Sequence, residues 1–179
     1  SVRTYNTSGC FLSASLEEVQ ERALKSIDEG IGGIKIKVGL PDSAEDLRRV
    51  SGVRETIGDL VPLMVDANQQ WDRATALRMG RCLEEFDLTW IEEPLDAYDT
   101  VGHAELTRRL DTPIATGEML ASVAEHERLI EARSCDIIQP DCPRVGGITQ
   151  FLRLMTLADQ RGLDLAPHFA MEIHLHLAA

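Results

Sequence analysis

Three acidic residues stand at equal intervals in this 179-residue chain: from Asp66 to Glu92 and from Glu92 to Glu118 the step is 26. Each ends or follows a short apolar run: Leu63-Met64-Val65 before Asp66, Thr89-Trp90-Ile91 before Glu92, and Ile114-Ala115-Thr116-Gly117 before Glu118. Equal steps of one strand-plus-helix unit put the three carboxylates at similar heights at the C-terminal ends of three successive strands, the catalytic face of a barrel. Carboxylates gathered there repel one another, so either their pKa values rise or a cation sits between them. Oxygen donors with no His or Cys beside them suit a hard ion, Mg²⁺ before Zn²⁺. Glu93 competes with Glu92, but the spacing selects Glu92, and Glu93 points to the other side of the strand.

Two further pairs could move protons. In Ile34-Lys35-Ile36-Lys37 the lysines are two apart and share one strand face. Two ammoniums that close disfavour each other's charge, which can lower a lysine pKa towards the working range of a base. Asp141 and His168 each follow an apolar run and a proline, Ile137-Ile138-Gln139-Pro140 and Leu165-Ala166-Pro167. At the ends of adjacent strands such an Asp orients the imidazole and favours its charged form, making it an acid/base. His103 and His126 fall on predicted helices among charged neighbours and read as surface residues. His174 and His176 stand two apart on a predicted helix, where such side chains diverge, so they make a poor metal pair.

Hydrophobic periodicity supplies the elements that must position these groups. Strands are expected at Val2–Asn6, Gly33–Val38, Leu63–Asp66, Thr89–Glu92, Pro113–Thr116, Asp136–Gln139 and Asp164–Pro167. Between them, apolar residues step by three or four, as in Leu16, Val19, Ala23 and Ile27; Leu47, Val50, Val53 and Ile57; Ala76, Met79, Leu83 and Phe86; Val123, Leu129 and Ile130; and Ile148, Leu152, Met155 and Leu157. Ser15, Ser43 and Asp72 suit helix starts, and Gly30, Gly58 and Gly162 suit helix ends. Strict alternation means parallel strands with helices outside. The glycine-rich stretches Gly30-Ile31-Gly32-Gly33 and Val145-Gly146-Gly147 do not match the dinucleotide fingerprint and read as turns, so a (β/α)₈ barrel is favoured over a doubly wound sheet.

Composition limits the partners. The formal net charge of −12 argues against nucleic acid, which needs a basic footprint. No apolar run approaches the roughly 20 residues of a membrane helix, and no signal pattern opens the chain, so a cytoplasmic location is expected. Cys10, Cys82, Cys135 and Cys142 show no zinc spacing and read as packed, reduced thiols.

Lys-x-Lys on one strand, Asp, Glu and Glu on the next three, and an Asp–His pair on the following two resemble the enolase superfamily, and within it the mandelate racemase subgroup. The likeness runs from Lys35 to His168. It is strongest to the acid-sugar dehydratases that act on galactarate and L-talarate, through Tyr5-Asn6-Thr7-Ser8-Gly9, Gly32 to Gly39, Val65 to Asp72, Trp90 to Asp99, and Ala166 to Glu172. The resemblance implies a Mg²⁺-dependent hydro-lyase. Asp66, Glu92 and Glu118 would hold the metal, and Lys35 and Asn68 would bind the substrate. Lys37 and His168, the latter supported by Asp141, would remove the α-proton and assist the β-hydroxyl to leave, from opposite faces of the substrate. Which does which is left open.

Against that family, residues 1–179 read as part of a C-terminal catalytic barrel, about seven βα units, without the capping domain and the last strand; a complete barrel takes about 250 residues. An open arc exposes strand edges, so the isolated chain is expected to fold poorly and to be nearly inactive, the intact parent being the enzyme and a homo-oligomer. Three other readings compete. A racemase, epimerase or dehydratase of another acid sugar would share every residue named. A non-catalytic scaffold would break at least one of them. A retro-aldol lyase would not need Lys-x-Lys opposite an Asp–His pair.

Overall fold

The computed structural model describes residues 2–179 and divides into two compact units. The first comprises Arg3–Asp96 with Leu110–Thr112; the second comprises Ala97–Arg109 and Pro113–Ala179 together with Val2.

In the first unit the order is α1 (Leu16–Asp28), β1 (Ile34–Lys37), α2 (Ser43–Ile57), β2 (Leu63–Asp66), α3 (Arg73–Leu83), a 3₁₀ turn (Glu84–Phe86) and β3 (Trp90–Glu92). The strands are parallel, with Lys37 paired to Asp66 and Asp66 to Glu92. That register brings the charged ends of all three strands level. The sequence dictates each boundary. Ser15 and Glu18 form a reciprocal capping box on α1, and Asp72 accepts from the Thr75 amide at 2.7 Å to start α3. Helix α2 starts one residue earlier than expected in its cap: Asp42, not Ser43, accepts from the Ala44 amide at 2.9 Å, its shorter carboxylate reach doing what Ser43, already helical, cannot. Gly58 ends α2 with φ of 75°. Phe86, expected on the α3 face, lies in the 3₁₀ turn that follows it.

The expected strand Val2–Asn6 is not formed. Only Asn6 pairs, with Ile34, and residues before it run irregularly and largely exposed. The Asn6 side chain explains the stop. Its Oδ1 accepts from the Ser8 amide at 2.9 Å and its Nδ2 donates to Ser26 Oγ at 2.6 Å, which turns the chain away after one pair.

The second unit runs α4 (Thr100–Arg109), β4 (Ile114–Thr116), α5 (Val123–Glu131), β5 (Ile137–Ile138), α6 (Ile148–Arg161), β6 (Asp164–Leu165) and α7 (Met171–Ala178). Its strands are also parallel, pairing Thr116 with Ile138 and Ile138 with Leu165. They are shorter than their apolar runs because prolines 140 and 167 have no amide hydrogen to continue a ladder. Leu120, Leu129, Ile130, Cys135, Ile138 and Ala158 form one core cluster, and Cys142, Val145, Phe151 and Leu154 another. The buried face of α6 is therefore Phe151, Leu154 and Ala158, whereas Ile148 and Leu152 of the expected face are exposed. Phe151 is the larger side chain, and its burial turns the helix by about one residue from the expected face.

The expectation for His103 and His126 is overturned: both are fully buried. Each donates from Nδ1 to the carbonyl four residues back, His103 to Asp99 at 3.0 Å and His126 to Ser122 at 2.9 Å. Local bonding within the first turn of a helix lets an imidazole face inward between charged neighbours. His174 is buried with both nitrogens engaged, Nε2 accepting from the Cys142 amide at 3.1 Å and Nδ1 donating to the Phe169 carbonyl at 3.0 Å. All four cysteines are free thiols. Among the described residues no helix is long and apolar enough to cross a membrane.

Arg54 is the clearest structural charge. Its guanidinium donates to four backbone carbonyls: Gly58 (2.9 Å), Val61 (2.8 Å), Phe86 (3.0 Å) and Asp87 (3.1 Å). These tie the turn after α2 to the turn before β3. Hydrogen bonds to a buried charge are worth about 1.5–3 kcal/mol each and are not additive. Arg54→Met should therefore destabilise by about 3 kcal/mol, roughly 10 °C in Tm for a chain of this size. A thermal melt of the variant that matches the parent would contradict this.

Candidate active site

The first unit carries a charged cluster at its strand ends. β1 places Lys35 and Lys37 on one face, β2 ends at Asp66 and β3 at Glu92. Asp66 and Glu92 are 1% and 0% exposed, which in water-excluded surroundings would be prohibitive without counter-charge. The lysines supply it. Lys35 Nζ is ion-paired to Glu92 Oε1 and lies 3.6 Å from Asp66 Oδ2, and Lys37 Nζ is bonded to Asp66 Oδ2. Asp66 also accepts from the Asn68 amide, at 2.9 Å. Glu92 Oε2 accepts from the Trp90 indole N–H at 3.0 Å.

These neighbours fix the charge states. Burial would raise the Asp66 pKa, but the Lys35 and Lys37 ammoniums and the Asn68 amide outweigh it and hold the carboxyl below its ordinary value. For Lys35 the sequence expectation fails in sign. Burial would lower its pKa, yet the negative charges of Glu92, Tyr5 and Asp66 together hold it above the ordinary lysine range. The carboxylates, not the neighbouring lysine, dominate its surroundings, so Lys35 is a fixed cation. Its ammonium also lies over the Tyr5 ring, 5.5 Å from the centroid, a partner some 30 residues away that no local pattern in the sequence signals.

Backbone strain collects at the same strand ends. Asn68, Gln69 and Glu93 are left-handed without being glycine, with φ of 42°, 65° and 39°. Glu93, buried, is tied to Gln69 twice: the Gln69 amide donates to the Glu93 carbonyl at 2.8 Å and the Gln69 carboxamide to Glu93 Oε2 at 2.9 Å. The pair pins the turn that carries Asn68.

The second unit carries an acid–base pair. His168 Nδ1 and Asp141 Oδ2 are 2.9 Å apart. The carboxylate can only accept, so Nδ1 carries the proton and Nε2 is the working nitrogen. Nε2 lies 3.5 Å from Glu118 Oε2. Asp141 is held from its other oxygen by the Arg144 amide at 2.9 Å. The pairing follows from the strand ends: Ala166 and His168 donate to the carbonyls of Ile138 (3.0 Å) and Pro140 (3.2 Å), which sets the two loops side by side. Gly117, with φ of 126°, brings Glu118 off β4 past the Gln139 amide and His126 Nε2, each 3.3 Å from where a Cβ would stand.

The structure thus brings Lys35, Lys37, Asp66 and Glu92 together, and separately Glu118, Asp141 and His168. Among the described residues no group of three or more His, Cys, Asp or Glu is arranged to hold a metal ion. What fits a divalent cation is the donor chemistry of Asp66 and Glu92, two ionised, buried carboxylates on adjacent, in-register strands.

Because Asp66 is held below its unfolded value near 3.9, its pairing contributes stability that is present above that pH and lost as the pH falls towards the folded value. Lys37→Met should shrink that loss. Urea unfolding in chelator between about pH 5 and pH 3 should give a shallower acid limb than the parent; superimposable limbs would contradict the assignment.

Comparison with known proteins follows this geometry. Residues 18–179 match the model of the enolase C-terminal domain-like family. Over all 179 residues the chain is 63% identical to L-talarate/galactarate dehydratase of Salmonella typhimurium strain LT2, covering 45% of that protein. It is 37% identical to 3,6-anhydro-alpha-L-galactonate cycloisomerase of Streptomyces coelicolor, covering 96% of this chain and 47% of that one. Among solved structures it matches L-talarate dehydratase from Polaromonas sp. JS666, complexed with Mg and L-glucarate, with a TM-score of 0.98 and 63% identity over 100% of this chain and 50% of that one. The chain therefore spans about half the length of the relatives it matches.

Proposed function

The chain belongs to the enolase C-terminal domain-like family, and on that premise we propose that it forms part of an acid-sugar dehydratase of the galactarate/L-talarate type. The single observation that carries this is the Lys35–Glu92 and Lys37–Asp66 pairing of buried charges at strand ends. The 63% identity to a protein of that activity supports the substrate class. We read the strands as successive staves of a (β/α)₈ barrel, whose C-terminal strand ends are where this fold builds its sites.

In this reading Asp66, Glu92 and Glu118 hold Mg²⁺, as structural relatives complexed with Mg suggest. When bound, the ion supplies Lewis-acid stabilisation of the charge that develops on the substrate carboxylate as the α-proton leaves. Lys35, a permanent cation, adds to that charge. Lys37 and His168 are the proton-transfer groups. One takes the α-proton, and the electron pair left behind forms the carbon–carbon double bond as the β-hydroxyl departs. The other gives the proton that lets it leave as water. The enol product then takes a proton to become a keto acid. Asp141 keeps the His168 proton on Nδ1, so that Nε2 is the nitrogen that exchanges it. Asn68 donates to a substrate oxygen from its pinned turn.

Lys37→Ala and His168→Ala should each lower kcat for galactarate or L-talarate by at least about 10²–10⁴-fold, read by a keto-acid assay with Mg²⁺ and again with chelator. Retained turnover in both would refute the mechanism. Asp141→Asn, which offers Nδ1 a donor or acceptor indifferently, should lower kcat by about 10–100-fold or more with little change in Tm. An unchanged kcat would remove Asp141 from the assignment.

A further inference from the structure

Glu92 lies in a closed ring of four buried or partly buried side chains in the first unit. Lys35 pairs with its Oε1, and the Trp90 indole N–H donates to its Oε2 at 3.0 Å. The Trp90 ring meets the Tyr5 ring edge-on, with centroids 5.2 Å apart and planes at 83°. Tyr5 in turn lies under the Lys35 ammonium, 5.5 Å from it. Trp90 and Glu92 are two apart on β3 and so share a face of the strand. Trp90 is 6% exposed and Glu92 0%, so water does not replace either partner.

A carboxylate on two rotatable carbons can turn about its own axis. Here one oxygen is held by a cation and the other by a rigid indole. The indole is itself held by Tyr5, and Tyr5 backs the cation. Each member constrains the next, and the plane of the Glu92 carboxylate is set by both ends at once. An N–H bond to an ionised oxygen is also stronger than one between neutral groups. Packing alone would ask only for an aromatic ring at position 90; the N–H aimed at a carboxylate asks for more.

We propose that Trp90 is a positioning residue for Glu92: through its indole N–H, and braced by Tyr5, it sets the orientation in which Glu92 meets a divalent cation. This rests on the reading of Glu92 as a metal ligand. Groups that hold a ligating side chain in place typically change metal affinity by about 10–100-fold when removed.

Trp90→Phe keeps an aromatic ring against Tyr5 and removes the N–H. In the protein with Mg²⁺ titrated by calorimetry, its Mg²⁺ Kd should rise about 10–100-fold, while the Tm in chelator stays within about 3 °C of the parent. Trp90→His, which can present a ring N–H, should recover part of the affinity. Kd values within twofold of the parent in a folded Trp90→Phe would overturn the proposal. If the parent itself bound no Mg²⁺, the metal reading of Glu92 would fall instead. Should Trp90→Phe not fold, the parent still decides the matter. It has two tryptophans, Trp71 and Trp90, and so two indole N–H resonances. Trp71→Phe assigns them. The Trp90 signal should move on adding Mg²⁺, and a parent that binds Mg²⁺ without moving that signal would overturn the role.

Discussion

Two ionised carboxylates, Asp66 and Glu92, are buried at the ends of neighbouring parallel strands, and the first unit is organised around neutralising them. Taking an ion from water into a protein interior costs several kcal/mol even after relaxation. That penalty is met by two ammoniums from one strand. β1 can carry lysines at alternate positions only because their partners stand on β2 and at β3 in matching register. From this constraint follow the raised basicity of Lys35, the lowered pKa of Asp66, the cation over Tyr5 and the indole bond from Trp90. The same arrangement suits a divalent cation, because the oxygens are ionised before any metal arrives.

The second unit solves a different problem. An imidazole that must take and give a proton has to be held in one tautomer, and the Asp141 carboxylate does this from the next strand end. The strands there are two residues long because prolines follow them closely. The loops beyond, not the strands, carry the working groups. Gly117 and the buried His126 serve the same economy, bringing Glu118 off β4 by a backbone turn that a side chain would block.

Much of this was legible in the sequence, for a physical reason. Charge at the end of a short apolar run is costly unless it works, so Asp66, Glu92, Lys35, Lys37, Asp141 and His168 stand out from ordinary surface residues by position. Helix caps were legible too, since Ser15 and Asp72 act on amides three residues away. What escaped the sequence depended on distant partners. The burial of His103 and His126 rests on bonds to their own helix starts, which charged neighbours disguise. The sign of the Lys35 shift depends on carboxylates 31 and 57 positions away, since 66 − 35 = 31 and 92 − 35 = 57. The α6 face turned on which apolar side chain fills the space under β5 and β6, a question of volume rather than period. The first strand was lost to one asparagine whose side chain found better partners than the ladder.

The central claim is that these strand-end charges support removal of a proton next to a carboxylate with loss of the β-hydroxyl. It is tested most directly by following galactarate with the protein and Mg²⁺ in D₂O by proton NMR. The account predicts a keto acid that carries deuterium on the carbon beside the new carbonyl, formed only while Mg²⁺ is present. Substrate that persists unchanged under these conditions, or product that forms equally well in chelator, would contradict it.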